Sequence, residues 1–327
     1  MDLISSRAMD QEVVMLVGYP ASGKSTVAKS LIDKGYFHVN RDTTGGRTKN
    51  GVPHMIAAIS QGKSIVLDNT FRNKESRQPF IEAAKIRKVP VRCMVMKTSI
   101  EQAQFNAARR MMQTYGKILS PDEIKKASKK NPNCFPASVL FAYRKAYEKP
   151  TIAEGLDSIE QIPFNLELGS EYKNGAYIFD ADDTVRSSIG PKQYPTDPRH
   201  VQILPGRKEW FERRQDTMFL LGVSNQSAIA KGELTEETCF GIFEKTNTLL
   251  GAEIDWQFCP HSVPPINCYC RKPMPGLGVY FIEKYKLDPV KCLVIGDQTS
   301  DKTFASRCGF RFQHAREFFD EKGKTGD

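Results

Sequence analysis

Long apolar runs, internal repeats and low-complexity segments are missing from this 327-residue chain, and only two tryptophans occur. No run approaches the roughly 20 apolar residues that a membrane-spanning helix needs, and residues 1–10 are too polar for a signal peptide. We therefore expect a protein that stays where it is made, in the cytoplasm or, in a eukaryote, the nucleus. The absence of repeats excludes solenoids and arrays.

Cysteine and charge give two further exclusions. Eight cysteines in a chain of this length do not indicate a disulfide framework. The net charge is +9, and the excess lies entirely in residues 1–172, which hold 26 Lys and Arg against 17 Asp and Glu; residues 173–327 hold 21 of each. That surplus fits a polyanionic acceptor steered to the first part of the chain, or a charge that serves solubility alone.

Apolar strand-like runs alternate with helix-like stretches, which predicts an α/β protein with parallel sheets. A polar stretch at residues 167–174 predicts a boundary near residue 172 and hence two domains, 1–172 and 173–327. The predicted strands are 13–17, 64–67, 91–96, 176–179, 218–223, 256–258 and 292–295. The predicted helices are 25–34, 74–88, 99–112, 143–148, 205–214, 236–250 and 277–285.

A glycine-rich loop follows the first predicted strand, with the spacing Gly18-x4-Gly23-Lys24-Ser25. Backbone N–H groups of such a loop surround the β-phosphate of a nucleotide, Lys24 reaches the β and γ oxygens, and Ser25 holds Mg²⁺. The sequence therefore predicts an ATP site, a phosphate donor, formed by Gly18, Ser22, Gly23, Lys24, Ser25 and Thr26.

Transfer to a hydroxyl also needs an acceptor side. Asp42, after a predicted second strand ending at Val39, is a candidate general base, with a helix cap or turn as the alternative. Asp68, after the 64–67 strand, is a candidate for orienting Mg²⁺ or substrate. Arg109 and Arg110 are candidates for a lid that closes on the triphosphate charge, with a solvated helix face as the alternative.

Several segments around these residues resemble the kinase domain of the animal polynucleotide kinase 3′-phosphatases. They are 37–43, 66–70, 101–103 and 143–155, and the resemblance spans about residues 13–164. It implies a P-loop kinase that phosphorylates 5′-hydroxyl ends of DNA or RNA, with Lys24 and Ser25 on ATP, Asp42 as general base, and Arg109 or Arg110 as the lid arginine. The adjacent arginines and the longer basic segment at 116–133 depart from the family pattern.

A second signature, Asp180-Ala-Asp182-Asp183-Thr184, predicts a site that removes a phosphate group rather than adding one. Asp180 can attack phosphorus to form an aspartyl-phosphate, and Asp182 can protonate the leaving oxygen and then activate water. Three segments in suitable order follow: 224–226 and 271–273 offer phosphate contacts, and Asp297 offers a carboxylate for Mg²⁺.

This set resembles the haloacid dehalogenase phosphatase superfamily over residues 176–311. The resemblance implies a Rossmann-like domain with a minimal cap, Asp180 as nucleophile and Asp182 as acid/base. It also implies Mg²⁺ on Asp180, Asp297 and the Asp182 carbonyl, with Ser224 and Lys272 on the phosphate. Asp183 departs from the family, which usually has glycine there.

A third motif, Cys259-Pro-His261-x6-Cys268-Tyr-Cys270, predicts a closed, structural Zn²⁺ site, with unligated surface thiols as the alternative. The arrangement resembles the zinc loop of heptose-bisphosphate and histidinol-phosphate phosphatases. The other five cysteines are expected to be buried small hydrophobes.

The leading hypothesis is a bifunctional nucleic-acid end-healing enzyme, a 5′-hydroxyl kinase and 3′-phosphatase using ATP and Mg²⁺, with a ligase as a possible downstream partner. The alternative is a sugar or metabolite kinase fused to a phosphatase of sugar-bisphosphate or histidinol-phosphate type. A nucleotide-gated binding protein without turnover is disfavoured because Lys24, Asp42, Asp180 and Asp182 are all present.

Overall fold

The computed structural model describes residues 11–166, 168–262 and 268–321, without the side chains of residues 42, 43, 320 and 321. Contacts divide it into two compact units. The first comprises the described residues up to Ala103 together with Val139–Leu166; the second comprises Gln104–Ser138 and the described residues after Leu166. Residues 104–138 thus group with the second unit, although they lie within the predicted first domain, and the boundary near residue 172 stays a prediction.

The first unit is built on a five-stranded parallel sheet with strand order β2-β3-β1-β4-β5. Its strands are β1 (Val13–Val17), β2 (Phe37–Val39), β3 (Ile65–Asp68), β4 (Val91–Met96) and β5 (Ser158–Ile162). The predicted strands 13–17 and 91–96 are confirmed, and 64–67 is displaced by one residue. Every β1 residue is buried, and successive side chains enter opposite faces of the sheet: Met15 joins one apolar cluster and Leu16 the other.

Helices cover both faces of this sheet, as parallel sheets require. They are α1 (Lys24–Ile32), α2 (Arg41–Thr44), α3 (Gly51–Ser60), α4 (Lys74–Ile86) and α7 (Ser138–Ala146). The predicted helices 25–34 and 74–88 are confirmed within two residues at each end, and 143–148 lies earlier than predicted. α3 was not predicted, because its glycine and proline near the start obscure an otherwise apolar stretch.

The segment between β4 and α7 contains α5 (Ile100–Tyr115), which crosses from one unit to the other, and α6 (Pro121–Ala127). α6 begins at a capping box in which Ser120 accepts from the Glu123 amide and Glu123 accepts from the Ser120 amide. The Lys-rich stretch predicted only as polar therefore includes a capped helix.

The second unit contains a parallel sheet of order β10-β9-β6-β11-β12 and an antiparallel hairpin, β7-β8. The strands are β6 (Ala176–Phe179), β7 (Arg186–Ser188), β8 (Val201–Ile203), β9 (Phe219–Asn225), β10 (Asp255–Cys259), β11 (Leu293–Gly296) and β12 (Arg311–His314). All four strands predicted here are confirmed within two residues at each end. The hairpin is the segment that follows the Asp180–Thr184 turn, and its small size is consistent with the predicted minimal cap.

The helices of this unit are α8 (Arg207–Arg213), α9 (Ser227–Ala230), α10 (Glu236–Leu250), α11 (Gly276–Tyr285), α12 (Thr299–Cys308) and α13 (Ala315–Glu321). Tyr177 and Phe179 of β6 form an aromatic core with Trp210, Phe211 and Phe318. The two parallel sheets with flanking helices confirm the predicted α/β class. Within the described residues, no helix is long and apolar enough to cross a membrane.

Candidate functional site

The glycine-rich loop joins β1 to α1 at the carboxyl edge of the first sheet. Gly23 has a φ of +91°, which side chains rarely adopt, and a Cβ on Gly18 would lie 2.8 Å from both Met96 Cβ and Ser22 Oγ. Gly23 is therefore favoured by its backbone conformation, and Gly18 by the close packing of Met96 and Ser22. Lys24, 7% exposed, donates from Nζ to the carbonyl oxygens of Gly18 (3.1 Å) and Tyr19 (2.6 Å). The loop thus holds the Lys24 ammonium at the start of α1, a place suited to an anion.

Asp68 stands beside this loop, because β3 is the neighbour of β1 and pairs Asp68 with Leu16. Although burial alone would raise it, the pKa of Asp68 is lowered by the neighbouring His38, Lys24 and Ser25, whose hydroxyl hydrogen-bonds the carboxylate. Asp68 is thus held as an anion next to Ser25. A hydroxyl and a carboxylate are the oxygen ligands that Mg²⁺ prefers, so the two residues fit that ion.

The segment that contains the candidate general base is hydrogen-bonded to the same edge of the first sheet. Asn40 Nδ2 donates to Asp68 Oδ2 at 3.5 Å, and the Arg41 amide donates to Asn69 Oδ1 at 3.0 Å. These bonds place the start of α2 against the end of β3. Asp42 is the second residue of α2, and its side chain lies outside the part of the chain that the structure describes.

The two candidate lid arginines differ in their partners. Arg109 Nε donates to Glu283 Oε1 at 2.8 Å, and its guanidinium lies 5.7 Å from the Tyr172 ring centroid. The Tyr172 hydroxyl donates to the other oxygen of Glu283 at 2.7 Å. Arg110 Nη1 donates to Asn133 Oδ1 at 3.3 Å. Arg109 is therefore committed to a carboxylate within the second unit.

Asp180 follows β6 and lies at the centre of a carboxylate cluster. One oxygen each of Asp180, Asp297 and Asp301 lie within 4.8 Å of one another. Lys272, 5% exposed, contacts Asp180 closely and Asp301 at 2.7 Å. The ammonium is paired with two of the three carboxylates, and the clustered carboxylate oxygens fit Mg²⁺. Asp301 was not among the predicted site residues, although Asp297 was.

The charges in this cluster shift one another. Burial raises the pKa of Asp180; the Lys272 ammonium opposes that shift, and Asp301 adds to it. Although burial alone would lower it, the pKa of Lys272 is raised by Asp180 and Asp301. Lys272 is therefore a fixed cation at the predicted nucleophile, where it can stabilise charge on a transferring phosphoryl group.

The end of β9 fixes that cation. The Lys272 amide donates to Asn225 Oδ1 at 2.9 Å, and Asn225 Nδ2 donates to the Lys272 carbonyl at 3.1 Å. Ser224, 2% exposed, accepts from Gln226 Nε2 at 2.8 Å. The structure thus brings Asp180, Ser224 and Lys272 to one edge, and adds Asn225 as a backbone clamp.

Asp182 is held between two donors. Arg186 Nε donates to Asp182 Oδ1 at 2.9 Å, and Gln226 Nε2 donates to Oδ2 at 3.3 Å. Asp183 has a φ of +59°, which explains why glycine is usual at this position. Thr184 Oγ1 donates to Asp297 Oδ1 at 3.4 Å. The turn therefore orients both the acid/base candidate and a metal-ligand candidate.

The four residues of the third motif, all within residues 259–270, converge in the structure. The Cys259 sulfur lies 3.7 Å from the Cys268 sulfur and 3.4 Å from His261 Nδ1, which is 3.2 Å from the Cys270 sulfur. Tetrahedral Zn²⁺ with Zn–S near 2.3 Å and Zn–N near 2.0 Å requires S–S and S–N separations of about 3.8 and 3.5 Å. The cluster fits a metal of this kind. All eight cysteines are described, and each is buried and free of disulfides.

Arg271 connects the metal-ligand cluster to the phosphatase-like site. Its Nη1 donates to the His261 carbonyl at 3.3 Å, and Lys272 follows it directly. Residues 263–267, between His261 and Cys268, lie outside the described residues. Sequence reasoning found all four cluster residues but missed Asn225, Gln226, Arg186 and Asp301 as individual contributors.

Two protein families match the chain, one in each half. The AAA domain family matches residues 13–131, and the HAD-hydrolase-like family matches residues 269–313. These matches confirm the predicted P-loop domain followed by a haloacid dehalogenase-like domain.

Two relatives are named for both a phosphatase and a kinase activity. The chain is 33% identical over 155 residues to a bifunctional polynucleotide phosphatase/kinase of Schizosaccharomyces pombe, covering 47% of this chain and 34% of the relative. It is 30% identical over 159 residues to a putative bifunctional polynucleotide phosphatase/kinase of Acanthamoeba polyphaga mimivirus, covering 48% and 34%. The chain spans about a third of the length of these relatives.

A third relative is covered almost completely. A probable D-glycero-D-manno-heptose-1,7-bisphosphate 7-phosphatase of Thermoplasma volcanium is 33% identical over 147 residues, which are 42% of this chain and 97% of that protein. The chain therefore belongs to the family of the HAD-like heptose-1,7-bisphosphate 7-phosphatases and is also a homologue of the bifunctional polynucleotide phosphatase/kinases.

Proposed function

We propose that the protein heals nucleic-acid ends, transferring the ATP γ-phosphate to 5′-hydroxyl ends and hydrolysing 3′-phosphate ends. The observation that carries this proposal is the presence of a P-loop site and an Asp180-centred site in one chain that is homologous to polynucleotide phosphatase/kinases. The products, a 5′-phosphate and a 3′-hydroxyl, are the ends that a ligase joins. The basic surplus of residues 1–172 supports a polyanionic acceptor.

In the kinase reaction, the loop amides and Lys24 hold the β- and γ-phosphates of ATP. Ser25 and Asp68 hold Mg²⁺, which neutralises charge on the phosphate oxygens when bound. Asp42 takes the proton from the attacking 5′-hydroxyl. We assign the contact with the triphosphate to Arg110, which donates to the neutral Asn133 side chain, rather than to Arg109, which is held in an ion pair with Glu283.

In the phosphatase reaction, Asp180 attacks phosphorus and Asp182 protonates the leaving oxygen. Asp182 then takes a proton from the water that hydrolyses the aspartyl-phosphate. Ser224 and Lys272 bind the phosphate oxygens. Asp180, Asp297, Asp301 and the Asp182 carbonyl would hold Mg²⁺, which would neutralise charge on the phosphate.

The arginine assignment is tested by comparing two adjacent substitutions. Arg110→Ala is expected to lower kinase kcat/KM by about 100-fold or more, because it removes a cation from the transferring group. Arg109→Ala is expected to lower it less than 10-fold. Glu283→Gln, which releases Arg109 without removing it, is the matched control. A larger loss in Arg109→Ala than in Arg110→Ala would contradict the assignment.

We further propose that the metal-ligand cluster binds one structural Zn²⁺. Cys268→Ser should eliminate the zinc measured by elemental analysis and lower the melting temperature by at least about 5 °C. It should also reduce phosphatase kcat/KM about 10-fold or more, because Arg271 and Lys272 lose their anchor.

Cys308→Ser is the matched control for the zinc prediction, because Cys308 is as buried as Cys268 but lies outside the cluster. It should retain one zinc per chain whatever its effect on stability. Wild-type protein without zinc, or full zinc in Cys268→Ser, would contradict the zinc proposal.

A second candidate function deserves a direct comparison because the Thermoplasma relative is covered over 97% of its length. In that case the phosphatase-like site would act on a sugar bisphosphate or histidinol phosphate, and the kinase on a sugar or metabolite. We expect kcat/KM for a 3′-phosphorylated oligonucleotide to exceed those for heptose bisphosphate and histidinol phosphate. The reverse order would favour the small-molecule function.

A further inference from the structure

Arg186 is a buried cation with a catalytic candidate as its partner. Its side chain is 1% exposed, and its Nε donates to Asp182 Oδ1 at 2.9 Å. Nη1 donates to Thr246 Oγ1 at 2.9 Å, and the guanidinium lies 4.5 Å from the Phe243 ring centroid. Arginine cannot lose its proton in a protein, so a buried guanidinium needs hydrogen-bond acceptors, and Asp182 Oδ1 supplies one within ion-pair distance.

The backbone of the turn enforces this pairing. The Asp183 amide donates to the Arg186 carbonyl at 2.8 Å, and the Arg186 amide donates to the Ala181 carbonyl at 3.1 Å. These bonds close a tight turn in which residues 182 and 186 form an isolated parallel β-bridge. The Arg186 side chain therefore meets Asp182 through the same turn that presents the reacting carboxylates.

The two oxygens of Asp182 face different surroundings. Oδ1 accepts from the Arg186 cation, whereas Oδ2, within the described part of the chain, accepts a longer bond from Gln226 Nε2, at 3.3 Å. Gln226 also donates to Ser224 Oγ at 2.8 Å. Oδ2 is thus connected to Ser224, a proposed phosphate-binding residue.

We propose that Arg186 is a positioning residue that confines the catalytic proton of Asp182 to Oδ2. A guanidinium has donors and no acceptor, so a proton cannot lie between Arg186 and Oδ1. Protonated Asp182 must therefore carry its hydrogen on Oδ2, on the side of Ser224. This inference rests on the proposed phosphatase reaction and adds the residue that orients its acid.

Asp180 forms a bond to phosphorus while the bond from phosphorus to the leaving oxygen breaks, and the proton on Asp182 Oδ2 moves to that oxygen. Water then attacks phosphorus, its proton moves to Asp182 Oδ2, and the bond between phosphorus and Asp180 breaks to release inorganic phosphate. Arg186 keeps its charge and its proton throughout.

The test compares leaving groups that differ in their need for a proton. p-Nitrophenolate departs unprotonated, whereas phenolate departs poorly without an acid. Arg186→Met should lower kcat/KM for phenyl phosphate at least 10-fold more than for p-nitrophenyl phosphate. Arg186→Lys keeps the cation, so the ratio of its kcat/KM values for the two esters should return most of the way to the wild-type ratio. A purely structural role would lower both rates by the same factor.

A double-mutant cycle completes the test. In an Asp182→Asn background there is no acid to orient, so adding Arg186→Met should leave the ratio of the two substrates unchanged. Any of three results would overturn the inference. They are equal losses on both esters in Arg186→Met and Arg186→Lys, no loss in either variant, or an additional change in the substrate ratio in the Asp182→Asn background. Neither ester is a nucleic acid, so a failure on 3′-phosphate ends would leave this test standing.

Discussion

Replacement of Lys24 by alanine is expected to reduce phosphoryl transfer from ATP by about 1,000-fold or more and to leave the phosphatase rate unchanged. Lys24 is buried in the glycine-rich loop, where its Nζ caps the Gly18 and Tyr19 carbonyls and adjoins the Ser25–Asp68 pair. Alanine removes the cation that would otherwise stabilise the charge of the transferring phosphate in a water-poor site. Label transfer from γ-labelled ATP measures the loss.

Lys29→Ala is the matched control, because Lys29 lies on the same helix, α1, but is exposed. It should transfer phosphate at the wild-type rate. Transfer that persists in Lys24→Ala would exclude the glycine-rich loop as the donor site. A parallel loss of phosphatase activity would contradict two independent sites.

Replacement of Asp180 by asparagine is expected to have the opposite effect, reducing phosphatase activity by about 1,000-fold or more while sparing the kinase. An amide is not a nucleophile toward phosphorus, so no aspartyl-phosphate can form. The change also takes a charge from the Asp180–Asp297–Asp301 cluster and one of the two anionic partners of Lys272. Release of inorganic phosphate measures the first effect, and the melting temperature measures the second.

Asp183→Asn makes the same chemical change three residues away. Asp183 is exposed and has a positive φ that asparagine tolerates, so this control should retain most of the activity. Substantial turnover in Asp180→Asn would assign the nucleophile to another residue. Loss of kinase activity in the same variant would show that the two reactions are coupled.

The sheets could be predicted where strands are buried on both faces. β1 and β6 are short apolar runs bounded by glycine or aspartate, and their limits follow directly from the sequence. β5 was missed because it is an edge strand whose side chains are mostly exposed, leaving no apolar run. α12 was missed because its buried residues, such as Phe304 and Cys308, are interspersed with charged and polar ones.

Some residues of the candidate sites could likewise be predicted from the sequence, and others could not. The glycine-rich loop and the metal-ligand cluster are encoded by residues close in sequence, so their spacing alone predicted them. The contacts of Asp182 with Gln226 and of Lys272 with Asp301 join residues 29 or more positions apart. Only the parallel strand order brings those residues together, which is why the sequence named the reacting groups but not the residues that orient them.

The most direct test of the end-healing proposal uses one oligonucleotide with a 5′-hydroxyl and a 3′-phosphate, incubated with γ-labelled ATP and Mg²⁺. The proposal predicts that label appears on the 5′ end while unlabelled inorganic phosphate is released from the 3′ end, and that the product becomes a substrate for a ligase. Neither change on the oligonucleotide, with phosphate transferred instead to a sugar or released from heptose bisphosphate, would contradict it.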